Sequence, residues 1–586
     1  MCIEKKPRLQ FYMKTLNAIV DASPESVDNE QRTYLEGFFA GVGQRAVVFA
    51  DLFPGGLAGG NSVLTDDDAP PLILEERLKK EEHPLDVFHR VIENARANKA
   101  PEKEDIFRFK WNGLFYQSPI CDNYMARLRI PGGQLKSYQL REIAAVAKDL
   151  TSGYIQITTR ANFQIRTIEP KHAPEVLRRV QNVGLHTRGA GADNIRNITA
   201  SATAGFDPVE LIDCSPYVND LAQIIIGSRE FYDLPRKFNI AFDGGGLVST
   251  VEDTNDIGAK AVRHEGETFF RLALGGATGH QTFAGDMGIL VTPDELIPVM
   301  LAILRVFIRE GNRSNRKKAR LKHLLEKITM AQFRSMVEER HGNPFRLINP
   351  EEAMPEWPSA DLDHSHVGLF PQKKGGLHYL GVSIPVGQLS PRQLGRLADL
   401  AEQYGSGDIR LTVWQNIIIP NIPTACVEMV KKGVEKIGLG WKQSNVSSGI
   451  IACTGSRYCK FAATDTKGHA IALMKHLEKK LQIDQPVNIH LTGCPNSCAQ
   501  HYMGDIGLLG AKNHNGEESY HVFVGGGFGR NQACGRQVYQ ALSAIEMSVK
   551  IEAMLRAWLA HREGSESFQS FTSRHDLNAL QVMFDE

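Results

Sequence analysis

An internally duplicated α+β fold is what this sequence predicts, and three observations carry the prediction. With a constant offset of 254 residues, 130–185 aligns on 384–439 without a gap, and 20 of the 56 aligned positions are identical. Both copies run through helical and strand periodicity in the same order. Two later segments also recur, at slightly different offsets. "RKFNIAFDGG" at 236–245 answers "QPVNIHLTGC" at 485–494, and "FRLALGGATG" at 270–279 answers "YHVFVGGGFG" at 520–529. Each half therefore holds the gapless repeat and a second α/β unit, and the halves are expected to face each other across a pseudo-twofold.

Residues 1–104 have no partner in the repeat and form an N-terminal helical extension, in which "EQRTYLEGFFAGV" at 30–42 reads as a short packing helix. Residues 105–185 hold the first repeat. A strand ends at Ile130-Pro131, a helix follows with Leu140, Ile143 and Ala147 on one face, and Ile155/Ile157 and Phe163/Ile165 alternate as strands around the turn "TRAN". Val176, Val180 and Val183 mark a second helix. Residues 186–345 form the first α/β unit. The Pro-rich, polar stretch 346–366 reads as a linker. Residues 367–440 repeat the pattern through Leu394, Leu397, Ala401, Ile409, Leu411, Ile417, Ile419, Val430, Val434 and Ile437, with "VWQN" as the turn. Residues 441–586 form the second α/β unit.

Composition excludes several classes. Acidic and basic residues balance at 67 each, so nothing draws the chain toward nucleic acid or an anionic membrane. The N-terminus lacks a signal-peptide core, and the apolar run at 299–308 is too short to span a bilayer. A soluble, cytoplasmic chain is expected. Nine cysteines, an odd and sparse number for 586 residues, do not describe a disulfide framework.

Four of those cysteines cluster, and only in the second half: "CTGSRYC" at 453–459 and "TGCPNSCAQ" at 492–500. Cys453, Cys459, Cys494 and Cys498 are spaced C-x5-C and C-x3-C. Structural zinc prefers tighter pairs in small autonomous loops. A 4Fe–4S cluster needs four thiolates around a cube, carried by loops that bend sharply, and Gly455, Gly493 and Pro495 permit such bending. Zinc and buried free thiols remain the alternative readings. The first half carries arginines and a lysine where the second carries cysteines.

Around these residues the chain resembles the siroheme and 4Fe–4S nitrite and sulfite reductase family, over most of 105–545. The resemblance implies ferredoxin-like half-domains, a 4Fe–4S cluster on the four cysteines, and siroheme bridged to that cluster by Cys498. Siroheme carries eight carboxylates, so buried cations should surround it. By resemblance these include Arg160 and Arg166, with Gln164, in "TTRANFQIR", and Arg320 in "GNRSNRKKAR". Lys317 and Lys318 read as a solvated face. The resemblance also implies a substrate pocket of Arg127, Arg196, Lys237 and Asn239, whose cations would hold an oxyanion as it gains electrons and protons.

Sulfite reductases of the family typically read K-x-K where this chain has Lys237-Phe238-Asn239. One fewer cation suits nitrite, a monoanion, better than sulfite. Ser497 and Gln500, and the run "DNIRNITASATAGFDPVELID", also resemble the nitrite enzymes, whereas Gln156 stands where some sulfite enzymes carry an arginine. The expected reaction is six-electron reduction of nitrite to ammonium. Sulfite reduction is the alternative, and a non-catalytic metal-binding module the distant one. "GGGFGR" and "GGATGHQ" are Gly-rich without forming a dinucleotide fingerprint. Electrons are therefore expected from a separate carrier, ferredoxin by resemblance, to a monomeric enzyme.

Overall fold

The computed structural model describes residues 72–356 and 364–586. The expected helix at 30–42 and Cys2 lie outside them. Four sheets organise the described residues. Two belong to the gapless repeat. In the first, β1 (Leu114–Tyr116), β2 (Tyr124–Arg127), β5 (Phe163–Ile168) and β4 (Ile155–Ile157) are joined by β14 (Gln388–Leu389). In the second, β12 (Gly368–Pro371), β13 (Leu377–Val382), β16 (Ile417–Pro423) and β15 (Asp408–Leu411) are joined by β3 (Gln134–Lys136).

Each half thus donates its short strand to the other's sheet, and the exchange is symmetric in number. Gln134 lies opposite Arg410, and Gln388 lies opposite Gln156, which is one relation read twice at the 254-residue offset. The same symmetry shows in the closest backbone approach. A Cβ on Gly133, at φ +69°, would stand 2.4 Å from the Leu411 carbonyl oxygen, and one on Gly387, at φ +66°, would stand 2.7 Å from that of Ile157. The pseudo-twofold is therefore real, and only glycine fits where it brings the backbones together.

Helices Ser137–Leu150 and Pro391–Tyr404 bury the stripes predicted for them: Leu140, Ile143, Ala147, Leu394, Leu397 and Ala401 are all fully buried. They share one hydrophobic core with the strands of both halves. Val183 and Ile437, at the ends of their helices, are only half-buried.

The α/β units have separate cores and matching topology. In the first, β6 (Thr199–Ala200), β7 (Ile240–Asp243) and β8 (Ile257–His264) are parallel, followed by antiparallel β9 (Glu267–Leu274), β10 (Gly285–Val291) and β11 (Arg346–Leu347). In the second, β17 (Ile450–Ala452), β18 (Ile489–Thr492) and β19 (Ile506–Lys512) are parallel, followed by antiparallel β20 (Glu518–Val524) and β21 (Arg536–Ser543). The segment read as a linker is partly built into the first unit. Arg346–Leu347 is its edge strand, and Ala353 packs on Val262, Phe269 and Leu290 while its carbonyl accepts from Arg271 at 2.9 Å. Polar composition hid that docking, which rests on one small apolar residue and a carbonyl.

Residues 72–104 are helical, with helices Leu74–Glu81 and Phe88–Arg96. Glu75 and Glu76 on the first reach Arg316 and Arg313 of the 311–320 run. Lys317 and Lys318 are exposed, as the amphipathic pattern predicts.

Candidate active site

The anion pocket is assembled by a short parallel bridge between Ile195 and Phe238. Arg196 N–H donates to the Phe238 carbonyl at 2.7 Å, and Phe238 N–H donates to Asn194 at 3.1 Å. Phe238 is fully buried against Phe307. In extended chain, alternate residues face opposite sides. Lys237 and Asn239 therefore share the face away from that core, beside Arg196.

Arg127, at the end of β2, completes the group. Its guanidinium donates to the Ala190 carbonyl at 3.3 Å, and Arg196 donates to the same oxygen at 2.7 Å and to Ala192 at 2.8 Å. Arg127 also lies over the Phe115 ring, 4.5 Å from its centroid. The loop beneath is braced by Arg129, a residue the sequence did not single out. Its fork donates to four carbonyls, of Arg188, Gly189, Ile195 and Arg196, at 2.6–3.2 Å.

None of Arg127, Arg196 and Lys237 has a carboxylate partner among the described residues. Burial pulls the Arg196 guanidinium well below its usual range, with Arg127 adding to the effect. It pulls Lys237 down to about 7, helped by Arg320 and opposed by the Cys498 thiol. Arg127 is lowered by burial and likewise feels Cys498. Three half-buried cations without acid partners among the described residues, within electrostatic reach of one another or of one cysteine, are suited to holding an anion.

Asp256 organises the other wall. Arg320 donates to it through Nε at 3.0 Å and Nη2 at 2.7 Å, and the Asn239 N–H donates to the same carboxylate at 2.8 Å. Arg320, expected to meet siroheme carboxylates, already has its charge neutralised here. Asp256 immediately precedes β8, 17 residues from Asn239 and 64 from Arg320, and nothing local in the sequence announces it.

Arg160 and Arg166 differ from Arg320. Arg160 donates to Asn255 and to the carbonyls of Asn197 and Ile240, and its Nε is buried without a partner. Arg166 is held by Gln156 at 2.7 Å, Thr454 at 2.7 Å and Gln164. All those groups are neutral. Burial lowers each guanidinium to about 10, so both can still receive carboxylates. Gln156, the departure noted in the sequence, orients Arg166.

The four cysteine thiols lie near one another, with Cys498 within electrostatic reach of Arg127 and Lys237. Cys498 feels the other three cysteines, Cys494 feels Cys459 and Cys453, and none of the four is in a disulfide. No three metal-ligating side chains among the described residues stand close enough for a single ion. Four thiols carried on two turning loops, with N–H groups aimed at their sulfurs, suit a 4Fe–4S cluster. The Gly493 N–H donates to Cys453 Sγ at 3.2 Å and the Asn496 amide to Cys494 Sγ at 3.5 Å. Gly455 turns with φ +75°, and a Cβ there would strike Thr466. Gly493 is needed for a different reason than bending: its φ is not positive, but a Cβ would lie 2.6 Å from that of Ala462.

Cys498 is the exposed member, lying in a crevice where desolvation, followed by Cys453, pushes its thiol up to about 11. Its carbonyl accepts from Thr159 at 2.9 Å, and the Gln500 amide donates to Thr254 at 2.8 Å, so both halves hold this loop. Ser497 adopts φ +51°, where glycine is easier, and its hydroxyl meets His501 Nδ1 at 3.0 Å. One further residue stands behind the cysteines: Lys467, brought down to about 7 by burial, which Cys453 opposes. The sequence reading passed over it because a lysine early in a helix is ordinary.

Fold and site together define a redox protein that sets four cysteines suited to an iron–sulfur cluster beside a half-buried, cation-lined pocket. The chain belongs to the nitrite and sulphite reductase family. The model of the nitrite and sulphite reductase 4Fe-4S domain matches residues 191–345 and 444–574, and that of the ferredoxin-like half domain matches 120–183 and 370–437. A ferredoxin–nitrite reductase of Synechococcus elongatus is 36% identical over 78% of this chain and 90% of its own. A ferredoxin-dependent sulfite reductase of Mycolicibacterium paratuberculosis is 31% identical over 88% and 97%. The solved structure of Mycobacterium tuberculosis NirA superposes with a TM-score of 0.80, at 30% identity, over 87% of this chain and 98% of that one.

Proposed function

We propose that this chain is an oxidoreductase that reduces nitrite to ammonium, with siroheme and a 4Fe–4S cluster as cofactors and reduced ferredoxin as the electron source. The observation that carries the substrate is the pair Lys237 and Asn239 on one face beside Arg127 and Arg196. That pocket holds three cations and one neutral amide, which suits a monoanion.

When bound, the cofactor pair supplies the iron and the electrons, delivered singly. The residues do the rest. Cys453, Cys459, Cys494 and Cys498 would hold the cluster, with Cys498 the cysteine that faces the cation-lined pocket. Arg160, Arg166 and Gln164 would meet siroheme's carboxylates, with Arg320 fixing the wall through Asp256. Lys237, Arg127 and Arg196 bind the anion and stabilise the negative charge that accumulates on it. Reduction consumes six electrons and eight protons and releases two waters and ammonium. A lysine lowered to about 7 by burial can surrender a proton near neutrality and regain it, whereas the arginines stay charged and position the substrate. The chain works as a monomer. Among the described residues no helix is long and apolar enough to cross a membrane.

Sulfite is the second reading, favoured by the similarity to the mycobacterial sulfite reductase. A steady-state assay with reduced methyl viologen, offering nitrite and sulfite separately and quantifying ammonium and sulfide, decides between them. Preference for nitrite by orders of magnitude in kcat/KM is expected. Preference for sulfite would overturn the argument from Asn239.

A further inference from the structure

Lys467 lies near the start of helix Thr466–Lys480 and is 4% exposed. Its ammonium donates to the carbonyls of Val386 and Ala452, the latter at 3.4 Å. Ala452 immediately precedes Cys453. The neighbouring Thr466 hydroxyl donates to the Cys453 carbonyl at 2.9 Å and lies 3.5 Å from its sulfur. No carboxylate pairs with Lys467 among the described residues. The acid-forming group whose charge reaches it is the Cys453 thiol.

A buried ammonium without a counter-ion costs several kcal/mol, and neutral carbonyls offset only part of that. The missing negative charge is what four thiolates around an iron–sulfur core would provide. We infer that Lys467 is the buried counter-cation of the cluster and sets its reduction potential. Reduction of the cluster adds one electron and makes or breaks no bond. The added negative charge is stabilised by a fixed cation nearby, so Lys467 makes the cluster easier to reduce by a one-electron carrier. Lys467 does not touch substrate; it acts through the cluster's energetics.

The inference rests on the cluster proposed above, not on the choice of nitrite. The test is a potentiometric titration of the holoenzyme, followed by electron paramagnetic resonance, on wild type, Lys467→Met, Lys467→Gln and Lys467→Arg, with iron and acid-labile sulfide measured in each. Both neutral variants are expected to be at least tenfold harder to reduce, a shift of 59 mV or more to negative potential for one electron, and Lys467→Arg to stay near wild type. Neutral variants with full cluster and unmoved potential would overturn the inference, as would an equal shift in Lys467→Arg. Should only the variants that keep the charge take up cluster, the pairing is upheld at the stage of assembly. If Lys467→Arg also fails to take up cluster, the role is packing and the inference falls. Protein without iron or sulfide sinks both this and the proposed function. A sulfite-preferring enzyme with the expected shift sinks the substrate reading alone.

Discussion

Arg320 and Asp256 form a buried, two-pronged ion pair, with nitrogen–oxygen distances of 3.0 and 2.7 Å, and the oxygen at 2.7 Å also accepts the backbone N–H of Asn239. One carboxylate thus neutralises an arginine and fixes a residue of the pocket. Asp256→Asn should leave the guanidinium buried without a counter-charge, a loss of roughly 3–5 kcal/mol. Asp256→Asn combined with Arg320→Met removes both charges and should recover much of it. Chemical denaturation of the four proteins of this cycle checks the coupling. A double variant no more stable than Asp256→Asn alone would mean the pair is not the source of the loss.

Lys237 gives the site its pH dependence. Burial lowers its value from 10.5 to about 7, and siroheme carboxylates would raise it again. The ammonium binds the anion and the amine does not, so kcat/KM for nitrite should fall as pH rises, with the midpoint between 7 and 10.5. Lys237→Arg should extend the plateau upward, because a guanidinium keeps its proton. The stability effect has the opposite sense. A lysine whose folded value lies below its unfolded one costs stability fully below about pH 7, and the cost fades as pH rises toward 10.5. Lys237→Met should therefore raise the Tm of siroheme-free protein at pH 6 and bring no gain near pH 10.5. A flat difference across that range would remove Lys237 from the account.

The parts of this molecule legible in its sequence are those written locally. The 254-residue repeat, the buried stripes of its helices and the two cysteine pairs each declare themselves within a short window. The supporting shell does not, because its partners are remote in the chain. Arg320 and Asp256 are 64 residues apart, Lys467 and its Val386 carbonyl 81. Arg129 spends its fork on backbone oxygens of residues 188–196, which carry no sequence identity at all. Strand exchange between the halves was equally hidden, since β3 and β14 are too short to show a period. Resemblance supplied the pocket residues; the bridge between Ile195 and Phe238 explains why they meet.

Asn239 is the residue on which the substrate turns. Asn239→Lys would add a second ammonium on the face that Lys237 occupies. One added attraction worth about 1.4 kcal/mol is a tenfold change. The ratio of sulfite to nitrite kcat/KM should rise at least tenfold, with nitrite turnover falling. Competition assays with reduced methyl viologen measure the ratio directly. If it does not move, the distinction between the two substrates is made elsewhere in the pocket.

The pseudo-twofold makes a prediction of its own, because the two halves repeat one backbone contact. Gly133 faces the Leu411 carbonyl and Gly387 that of Ile157, both at positive φ. Alanine at either position suffers the left-handed penalty of about 1–2 kcal/mol and must also push a carbonyl that is fixed in a sheet. Gly133→Ala and Gly387→Ala should each lose at least 2 kcal/mol, with the tighter Gly133 losing more. The damage lies in the core that both halves share, so siroheme content should fall in both variants even though neither residue belongs to the pocket. Denaturant midpoints and the siroheme Soret absorbance per protein report the two effects separately. A variant that is destabilised at one position and unaffected at the other would show that the symmetry of the fold is not a symmetry of its energetics.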